Sequence, residues 1–161
     1  MKYAGLNLND FTAAPGVSVT FFTQGCPHHC TNCHNPETWD FSGGKEFTPQ
    51  VLDTIINGLT ANGLKRSLAI MGGEPLCDEN LFLTHLVIST VKKKYPEIPV
   101  YIWTGYYYED LLESLNPQLE QIFNLTDVII DGPYIDKLRD VTLPMRGSSN
   151  QRIITLTNNK K

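Results

Sequence analysis

Val17-Ser-Val-Thr-Phe-Phe-Thr23 is followed three residues later by Cys26-Pro-His-His-Cys30-Thr-Asn-Cys33. The first stretch is short, rich in β-branched and aromatic residues, and preceded by the turn-like Ala14-Pro15-Gly16, so it predicts a strand. The second stretch places three thiols within eight residues. We therefore expect a fold in which a strand runs directly into a loop that carries the three cysteines.

The C-x3-C-x2-C spacing of this loop favours an iron-sulfur cluster. Cysteine thiolates are the usual ligands of such clusters, and a short loop can curl three sulfurs around one small inorganic core. A missing fourth thiolate leaves one iron open to a substrate, as an open position does on a catalytic metal. Structural zinc is the alternative, with a fourth ligand from His28, His29 or His34, but the paired C-x2-C motifs typical of zinc sites are absent from the sequence.

Composition limits the class of protein. The chain has 161 residues, of which 41% are hydrophobic, and this size and mixture predict one globular domain over residues 1–161. Its net charge is -4 and its longest basic run is Lys92-Lys93-Lys94, so no nucleic-acid-binding footprint is present. No apolar stretch is long enough to span a membrane, and four cysteines without a secretory signal fit a reducing compartment. We therefore expect a cytoplasmic protein without a membrane or nucleic-acid partner.

Strand and helix patterns alternate after the first strand. Strands separated by helices imply a parallel sheet with right-handed crossovers, either an open α/β sheet or an incomplete (β/α) barrel. The predicted elements are a helix from Thr48 to Asn62, a strand over Ser67–Met71, a helix with apolar positions from Leu81 to Val91 that ends at the lysines, a strand over Val100–Thr104, short helices over Tyr108–Leu115 and Pro117–Phe123, a strand over Asp127–Asp131 and a last strand over Gln151–Thr157.

The turns that follow these strands contain residues that indicate a binding site. In both architectures functional groups collect at the C-terminal ends of the strands. The first four predicted strands lead into Gln24-Gly25-Cys26, Gly72-Gly73-Glu74-Pro75, Gly105-Tyr106 and Gly132-Pro133-Tyr134. In the second turn, two glycines let a ligand approach the backbone, and the Glu74 carboxylate can bind an ammonium group. Alone this turn is typical of an ordinary strand-to-helix connection, but beside the cysteines it favours a site for an amino-acid-like cation.

The cysteine motif after the first strand and Gly-Gly-Glu-Pro after the second resemble the radical S-adenosylmethionine enzymes. Within them the chain is similar to the activases of anaerobic (class III) ribonucleotide reductase. The similarity covers most of the chain, because it extends to Asn35-Pro36-Glu37-Thr38-Trp39, Trp103-Thr104-Gly105-Tyr106, Asp131-Gly132 and Arg146-Gly147-Ser148-Ser149-Asn150-Gln151. The resemblance implies an α/β fold of the radical SAM type, an incomplete (β/α) barrel of mostly parallel strands with outer helices.

The resemblance also implies a set of binding residues. Cys26, Cys30 and Cys33 would ligate three irons of a 4Fe-4S cluster, and the amino and carboxylate groups of S-adenosyl-L-methionine would chelate the fourth iron. Residues expected to contact that cofactor are Gly72, Gly73 and Glu74 at the methionyl amino group, the backbone of Asn32, Cys33 and His34 at the adenine, and Thr104 and Asp131 on the methionyl or ribose side.

The implied reaction is reductive cleavage of S-adenosylmethionine. One electron from a low-potential donor such as flavodoxin or ferredoxin would give methionine and a 5′-deoxyadenosyl radical, which would abstract hydrogen from a backbone glycine of the large (glycyl radical) subunit of the reductase. Because cluster and cofactor carry this chemistry, no catalytic acid-base side chain is expected. Little chain remains for a lid, so the partner would close the site, with His34–Phe47 and Pro133–Arg152 as candidate contact segments.

Other interpretations of the sequence stay open. Trp39, Phe41 and Phe47 could cover the cluster and the core or contact the partner. Cys77 is expected to be a buried, non-ligating thiol, because a fourth thiolate would fill the open iron position. Two other function classes are a small-molecule radical enzyme similar to 7-carboxy-7-deazaguanine synthase and a zinc-binding or cluster-storage module.

Overall fold

The computed structural model describes residues 1–156, which form seven strands and four α-helices. Three single-turn 3-10 segments lie at Pro36–Thr38, Ala61–Gly63 and Asp136–Leu138. The main elements, in chain order, are β1 (Lys2–Asp10), β2 (Ser18–Thr23), β3 (Lys45–Glu46), α1 (Pro49–Gly58), β4 (Ser67–Gly72), α2 (Asp78–Lys94), β5 (Val100–Trp103), α3 (Tyr108–Glu113), α4 (Pro117–Leu125), β6 (Val128–Asp131) and β7 (Arg152–Thr155).

All seven strands belong to one sheet in the order β3-β1-β2-β4-β5-β6-β7. The pairs β2-β4, β4-β5 and β5-β6 are parallel, whereas the pairs at both edges are antiparallel. The predicted α/β class is therefore confirmed, with its parallel strands in the middle of the sheet. Within residues 1–156, β3 and β7 are the two edges and do not pair with each other, so the sheet is open.

The strand β1 was missing from the sequence prediction. This nine-residue strand runs antiparallel to β2 and also pairs with the short β3, which was missed as well. Gly5, Asn7, Asn9 and Asp10 lie within β1. These residue types are depleted in strands, so the local sequence gives only a weak strand signal. Hydrogen bonding to β2 on one side and β3 on the other stabilises the strand instead.

The helices begin where their sequence signals predict. Pro49 occupies the first helical position of α1, and the side chain of Asn116 caps α4 by accepting a hydrogen bond from Gln118 N at 2.9 Å. The helix α2 starts with Asp78 and Glu79 and ends with the three lysines, which suits the helix dipole at both ends. The strand β7 ends at Thr155, and the predicted Thr157 lies outside the described residues.

Apolar side chains of the parallel strands pack against the helices. Phe21, Ile70, Ile102 and Ile129 of the four central strands are fully buried, as are Ile55, Val87 and Ile122 on α1, α2 and α4. Burying a side chain of this size stabilises a fold by about 2 kcal/mol relative to leaving it exposed. This core fixes the four parallel strands, so the loops after them are held at one edge of the sheet.

None of the helices between residues 1 and 156 combines the length and the apolar content needed to cross a membrane.

Candidate cluster and cofactor site

The loops after the parallel strands surround one cavity of about 610 Å³. Most of the predicted site residues line it, namely Cys26, Cys30, Cys33, His34, Gly72, Gly73, Glu74 and Thr104. These residues come from the last position of β4 and from the loops after β2, β4 and β5. The structure therefore brings the cysteines and the Gly-Gly-Glu turn, residues 72–75, into the same cavity.

Backbone contacts shape the cysteine loop, which we define as residues 24–35. Gly25 N donates to Thr38 O at 2.7 Å, and Cys26 N donates to Trp39 O at 3.2 Å. His29 and Asn32 have φ values of 48° and 58°. This left-handed region is reached more readily by asparagine and histidine than by most residues, so the sequence between the cysteines suits the conformation of the loop.

The donor chemistry of the three cysteines fits an iron-sulfur cluster. A backbone N–H already points at one sulfur, because Asn35 N donates to Cys33 Sγ at 3.4 Å. Hydrogen bonds to the sulfurs are a general feature that tunes such clusters. Within residues 1–156, no three His, Cys, Asp or Glu side chains are grouped so that they could hold a single metal ion. A four-iron cluster does not need that arrangement, because each thiolate binds a different iron.

Burial raises the pKa of the Cys26 thiol to about 11, and the negative charge of Glu74 adds to this effect. Burial also raises the pKa of the Cys30 thiol. Both cysteines are therefore thiols at neutral pH when no metal is bound. Metal ligation requires thiolates, so loading iron onto this loop would release protons.

The two glycines of the Gly-Gly-Glu turn allow the turn to pack against the cysteine loop. Gly72 has a φ of 109°, and a Cβ on Gly73 would lie 2.3 Å from Gly25 O. Glu74 N donates to Gly25 O at 2.8 Å, which joins the two segments directly. Glycine is thus required here by the close approach of two backbones. From the sequence, these glycines indicated either the approach of a ligand or an ordinary strand-to-helix connection, and the packing of the cysteine loop against them was not predicted.

Glu74 connects three loops through its buried carboxylate. Its Oε1 accepts from Leu76 N at 2.9 Å and from Thr104 Oγ1 at 2.8 Å. Its Oε2 accepts from Gly105 N and from His28 Nε2, both at 2.7 Å. Because a carboxylate offers about four acceptor positions, these protein donors fill them. Any direct bond from a ligand to this carboxylate would have to replace one of the four donors.

His28 was considered from the sequence only as a possible zinc ligand, and the structure gives it another position. Its ring packs edge-on against Tyr106, with ring centroids 4.5 Å apart, and a Cβ on Gly105 would lie 2.5 Å from it. The ring therefore lies between the cysteine loop and the loop after β5. The sequence signal was the position of His28 between the first two cysteines, but its partner Glu74 is 46 residues away.

Two predicted cofactor residues lie elsewhere. Asp131 is fully buried, and its carboxylate accepts from Arg152 and, at 2.8 Å, from Tyr108 N. Asn32 is exposed, and its Nδ2 donates to Asp136 Oδ2 at 2.9 Å. Neither residue is part of the cavity lining. Their contacts with a cofactor stay predictions.

Another wall of the cavity comes from residues 132–151, which we call the closing segment. Its lining residues, which include Met145, Arg146 and Gln151, had not been assigned to the site from the sequence. Gln151 holds the segment together, because its Oε1 accepts from Gly147 N and Ser148 N and its Nε2 donates to Gly132 O. Trp103 Nε1 donates to Met145 O at 2.8 Å and ties the segment to β5.

The three aromatic residues left open by the sequence have separate places. Phe47 packs edge-on against Phe21 of the core, with ring centroids 5.7 Å apart. Phe41 is partly exposed and lies over Gly25, whereas Trp39 lines the cavity. Cys77 is outside the cavity lining and 3% exposed, which confirms the predicted burial, and burial raises the pKa of its thiol to about 12.

Comparison with known proteins agrees with this geometry. Residues 13–154 match the family described as 4Fe-4S single cluster domain. The anaerobic ribonucleoside-triphosphate reductase-activating protein of Escherichia coli (strain K12) is 35% identical over 143 residues, which is 88% of this chain and 90% of that protein. The chain belongs to this family of activating proteins. The family member of Enterobacteria phage T4 is 36% identical over 153 residues, 95% of this chain and 93% of its own length. That of Pasteurella multocida is 32% identical over 158 residues, 98% of this chain and 99% of its own length. The family predicted from the sequence motifs is confirmed.

Proposed function

We propose that this protein activates an anaerobic ribonucleoside-triphosphate reductase by generating a radical on a backbone glycine of that enzyme. Reductive cleavage of S-adenosylmethionine to methionine and a 5′-deoxyadenosyl radical is the chemistry that a reduced 4Fe-4S cluster supplies, and this radical takes a hydrogen atom from the glycine. The names of the relatives support the target enzyme, and the match to a 4Fe-4S domain supports the cluster.

One observation carries the proposal: the three cysteines and the Gly-Gly-Glu turn line the same cavity at the ends of the parallel strands. In the proposed site Cys26, Cys30 and Cys33 hold three irons and leave the fourth for the cofactor. Gly72, Gly73 and Glu74 lie at the methionyl amino group, and Thr104 adjoins them, since its hydroxyl binds the Glu74 carboxylate.

Glu74 acts through its charge in this proposal. Its oxygens are occupied by hydrogen bonds from the protein, and no Lys or Arg within residues 1–156 forms an ion pair with it. A buried carboxylate that has no Lys or Arg partner contributes negative potential inside the cavity. That potential favours the ammonium and sulfonium groups of S-adenosylmethionine over neutral molecules of similar shape.

We also propose that the sheet is a short version of the incomplete (β/α) barrel of radical SAM enzymes, formed by a single activase domain. The three parallel strand pairs and the position of the cavity at their C-terminal ends support this assignment. Helical crossovers between those strands fit the same architecture.

The glycyl radical subunit of the reductase is the proposed partner that closes the cavity. Both predicted contact segments carry exposed apolar side chains, Phe41 in the first and Leu138 and Val141 in the second. Exposed apolar groups on segments that line the cavity favour contact with a protein surface. A low-potential donor such as flavodoxin or ferredoxin is proposed as the electron source. The cytoplasmic location stays a prediction.

The proposal is tested by anaerobic reconstitution of the full chain with iron and sulfide, followed by reduction and addition of S-adenosylmethionine. We expect 5′-deoxyadenosine to form with the wild type and with Cys77→Ala, and to be abolished in Cys30→Ala. Addition of an anaerobic reductase should then give a glycyl radical signal in electron paramagnetic resonance (EPR). Cleavage without a glycyl radical would exclude the proposed partner, and a cluster that never cleaves the cofactor would exclude the function.

A further inference from the structure

The indole of Trp39 lies beside the cysteine loop. Its ring stacks on His29, with ring centroids 4.7 Å apart and an angle of 15° between the planes. Trp39 O also accepts a hydrogen bond from Cys26 N at 3.2 Å. Trp39 therefore contacts the cysteine loop through both its backbone and its side chain, and it lines the cavity that contains the three thiols.

The N–H group of this indole is buried, and within residues 1–156 it has no hydrogen-bond acceptor. A buried tryptophan N–H is usually hydrogen-bonded, and leaving such a group unpaired costs about 1–3 kcal/mol. A group bound in the adjoining cavity would remove this cost if it supplied an acceptor. The unpaired N–H is therefore an observation that points to a ligand.

Trp103 provides an internal contrast. It lines the same cavity, but its Nε1–H donates to Met145 O at 2.8 Å. Both tryptophans therefore line the same cavity, but within residues 1–156 a hydrogen-bond acceptor is present for the indole of Trp103 and not for that of Trp39.

We propose that Trp39 Nε1–H donates a hydrogen bond to a sulfur of the bound 4Fe-4S cluster and thereby raises its reduction potential. This inference rests on the proposed function. Reduction adds negative charge that is shared by the sulfurs, so an N–H donor stabilises the reduced cluster more than the oxidised one. Asn35 N, which donates to Cys33 Sγ at 3.4 Å, shows the same type of contact elsewhere in the loop.

The first test measures the midpoint potential of the reconstituted cluster in the full chain by an EPR-monitored redox titration. Trp39→Phe keeps an aromatic ring beside His29 and removes the N–H. At the solution potential that reduces half of the wild-type cluster, we expect the ratio of reduced to oxidised cluster to fall about threefold to tenfold in Trp39→Phe, where tenfold corresponds to about 59 mV. Trp103→Phe should leave this ratio within about twofold of the wild type, because its N–H is bound to the protein.

A second measurement uses the unmutated residue, so it does not depend on the stability of Trp39→Phe. Protein labelled with 15N at the tryptophan indoles should show a 15N hyperfine coupling in pulsed EPR of the reduced cluster. The coupling should persist in labelled Trp103→Phe. An unchanged potential in Trp39→Phe, or no coupling in the labelled protein, would overturn the inference.

The same samples separate this inference from the proposed function. A wild type that assembles the cluster and cleaves S-adenosylmethionine, with an unchanged potential in Trp39→Phe, overturns only the role of Trp39. Weaker binding of S-adenosylmethionine at an unchanged potential also overturns it, since the indole then serves the cofactor. A wild type that assembles no cluster contradicts the proposed function itself.

Discussion

Two buried carboxylates, Glu74 after β4 and Asp131 at the end of β6, lie in different surroundings. Glu74 binds donors from the cysteine loop and from the loops after β4 and β5. Asp131 binds the Arg152 guanidinium of the antiparallel edge strand β7 and the backbone N–H of Tyr108. Both are acidic residues at the ends of parallel strands. Burial and position at the end of a strand therefore do not show which of the two carboxylates lines the cavity.

The partners of the two carboxylates determine what each can do. The Arg152 guanidinium compensates the charge of Asp131, so that carboxylate has little electrostatic effect on a ligand. Glu74 accepts its hydrogen bonds from a histidine, a hydroxyl and two backbone N–H groups, and within residues 1–156 no Lys or Arg pairs with it beside the cavity. We infer that Glu74, after β4, contributes to recognition of a cationic cofactor, and that Asp131, at the end of β6, stabilises the fold.

The largest effect is expected from Glu74→Gln, which preserves the size of the side chain and removes its charge. The affinity of the reconstituted protein for S-adenosylmethionine should fall about 50-fold to 100-fold, equivalent to about 2.5 kcal/mol. The free energy of unfolding should also fall by about 2 kcal/mol, because the amide group cannot accept all four hydrogen bonds. Equilibrium binding and urea denaturation measure the two quantities. Wild-type affinity in this variant would remove Glu74 from cofactor recognition.

Asp131→Asn should separate stability from binding. The free energy of unfolding should fall by about 2 kcal/mol, because a buried acceptor of charge-assisted hydrogen bonds is weakened. The affinity for S-adenosylmethionine should stay within about threefold of the wild type, since Asp131 is not part of the cavity lining.

Arg152→Met, alone and combined with Asp131→Asn, is the matched control, because it removes the other side chain of the same contact. Because Asp131 and Arg152 contact each other, the double variant should lose less stability than the sum of the two single changes. A loss of affinity in Asp131→Asn as large as that in Glu74→Gln would instead support the contact with the cofactor that the family resemblance implies.

The cavity loops could be predicted from the sequence, whereas the surroundings of Asp131 could not. The cysteine loop and the Gly-Gly-Glu turn follow strands with strong local patterns, so their common location at one edge of the sheet was foreseeable. The direction of the Asp131 side chain was not, because the alternation of a strand fixes it and a shift of one residue reverses the face. Its partner Arg152 lies 21 residues away on an antiparallel strand whose pairing the local sequence does not specify.

Local pattern also explains the strand that was missed and the contact that was not foreseen. The strand β1 is weak as an isolated sequence and becomes ordered by pairing with β2 and β3. The hydrogen bond between His28 and Glu74 depends on the packing of two loops that the parallel sheet brings together. Composition and motifs identify such residues, but the register of the strands decides which of them meet.

The smallest effect is expected at Glu109, where the Asp131 network reaches the surface. Arg152 binds Glu109 through both terminal nitrogens at 2.9 and 2.6 Å, and these hydrogen bonds lower the pKa of Glu109 to about 2. An unfolded glutamate has a pKa of about 4.3, so the contact stabilises the folded state fully above that pH and loses its effect as pH falls toward about 2. The difference in unfolding free energy between wild type and Glu109→Gln should therefore be constant from pH 7 to about pH 5.5 and shrink below that range. Urea denaturation across this pH range measures this difference.

Salt should weaken the exposed Glu109 contact and leave the buried Asp131 contact nearly unchanged, because screening acts mainly on charges in solvent. Equal salt sensitivity of Glu109→Gln and Asp131→Asn would contradict the assignment of the first contact to the surface and the second to the core.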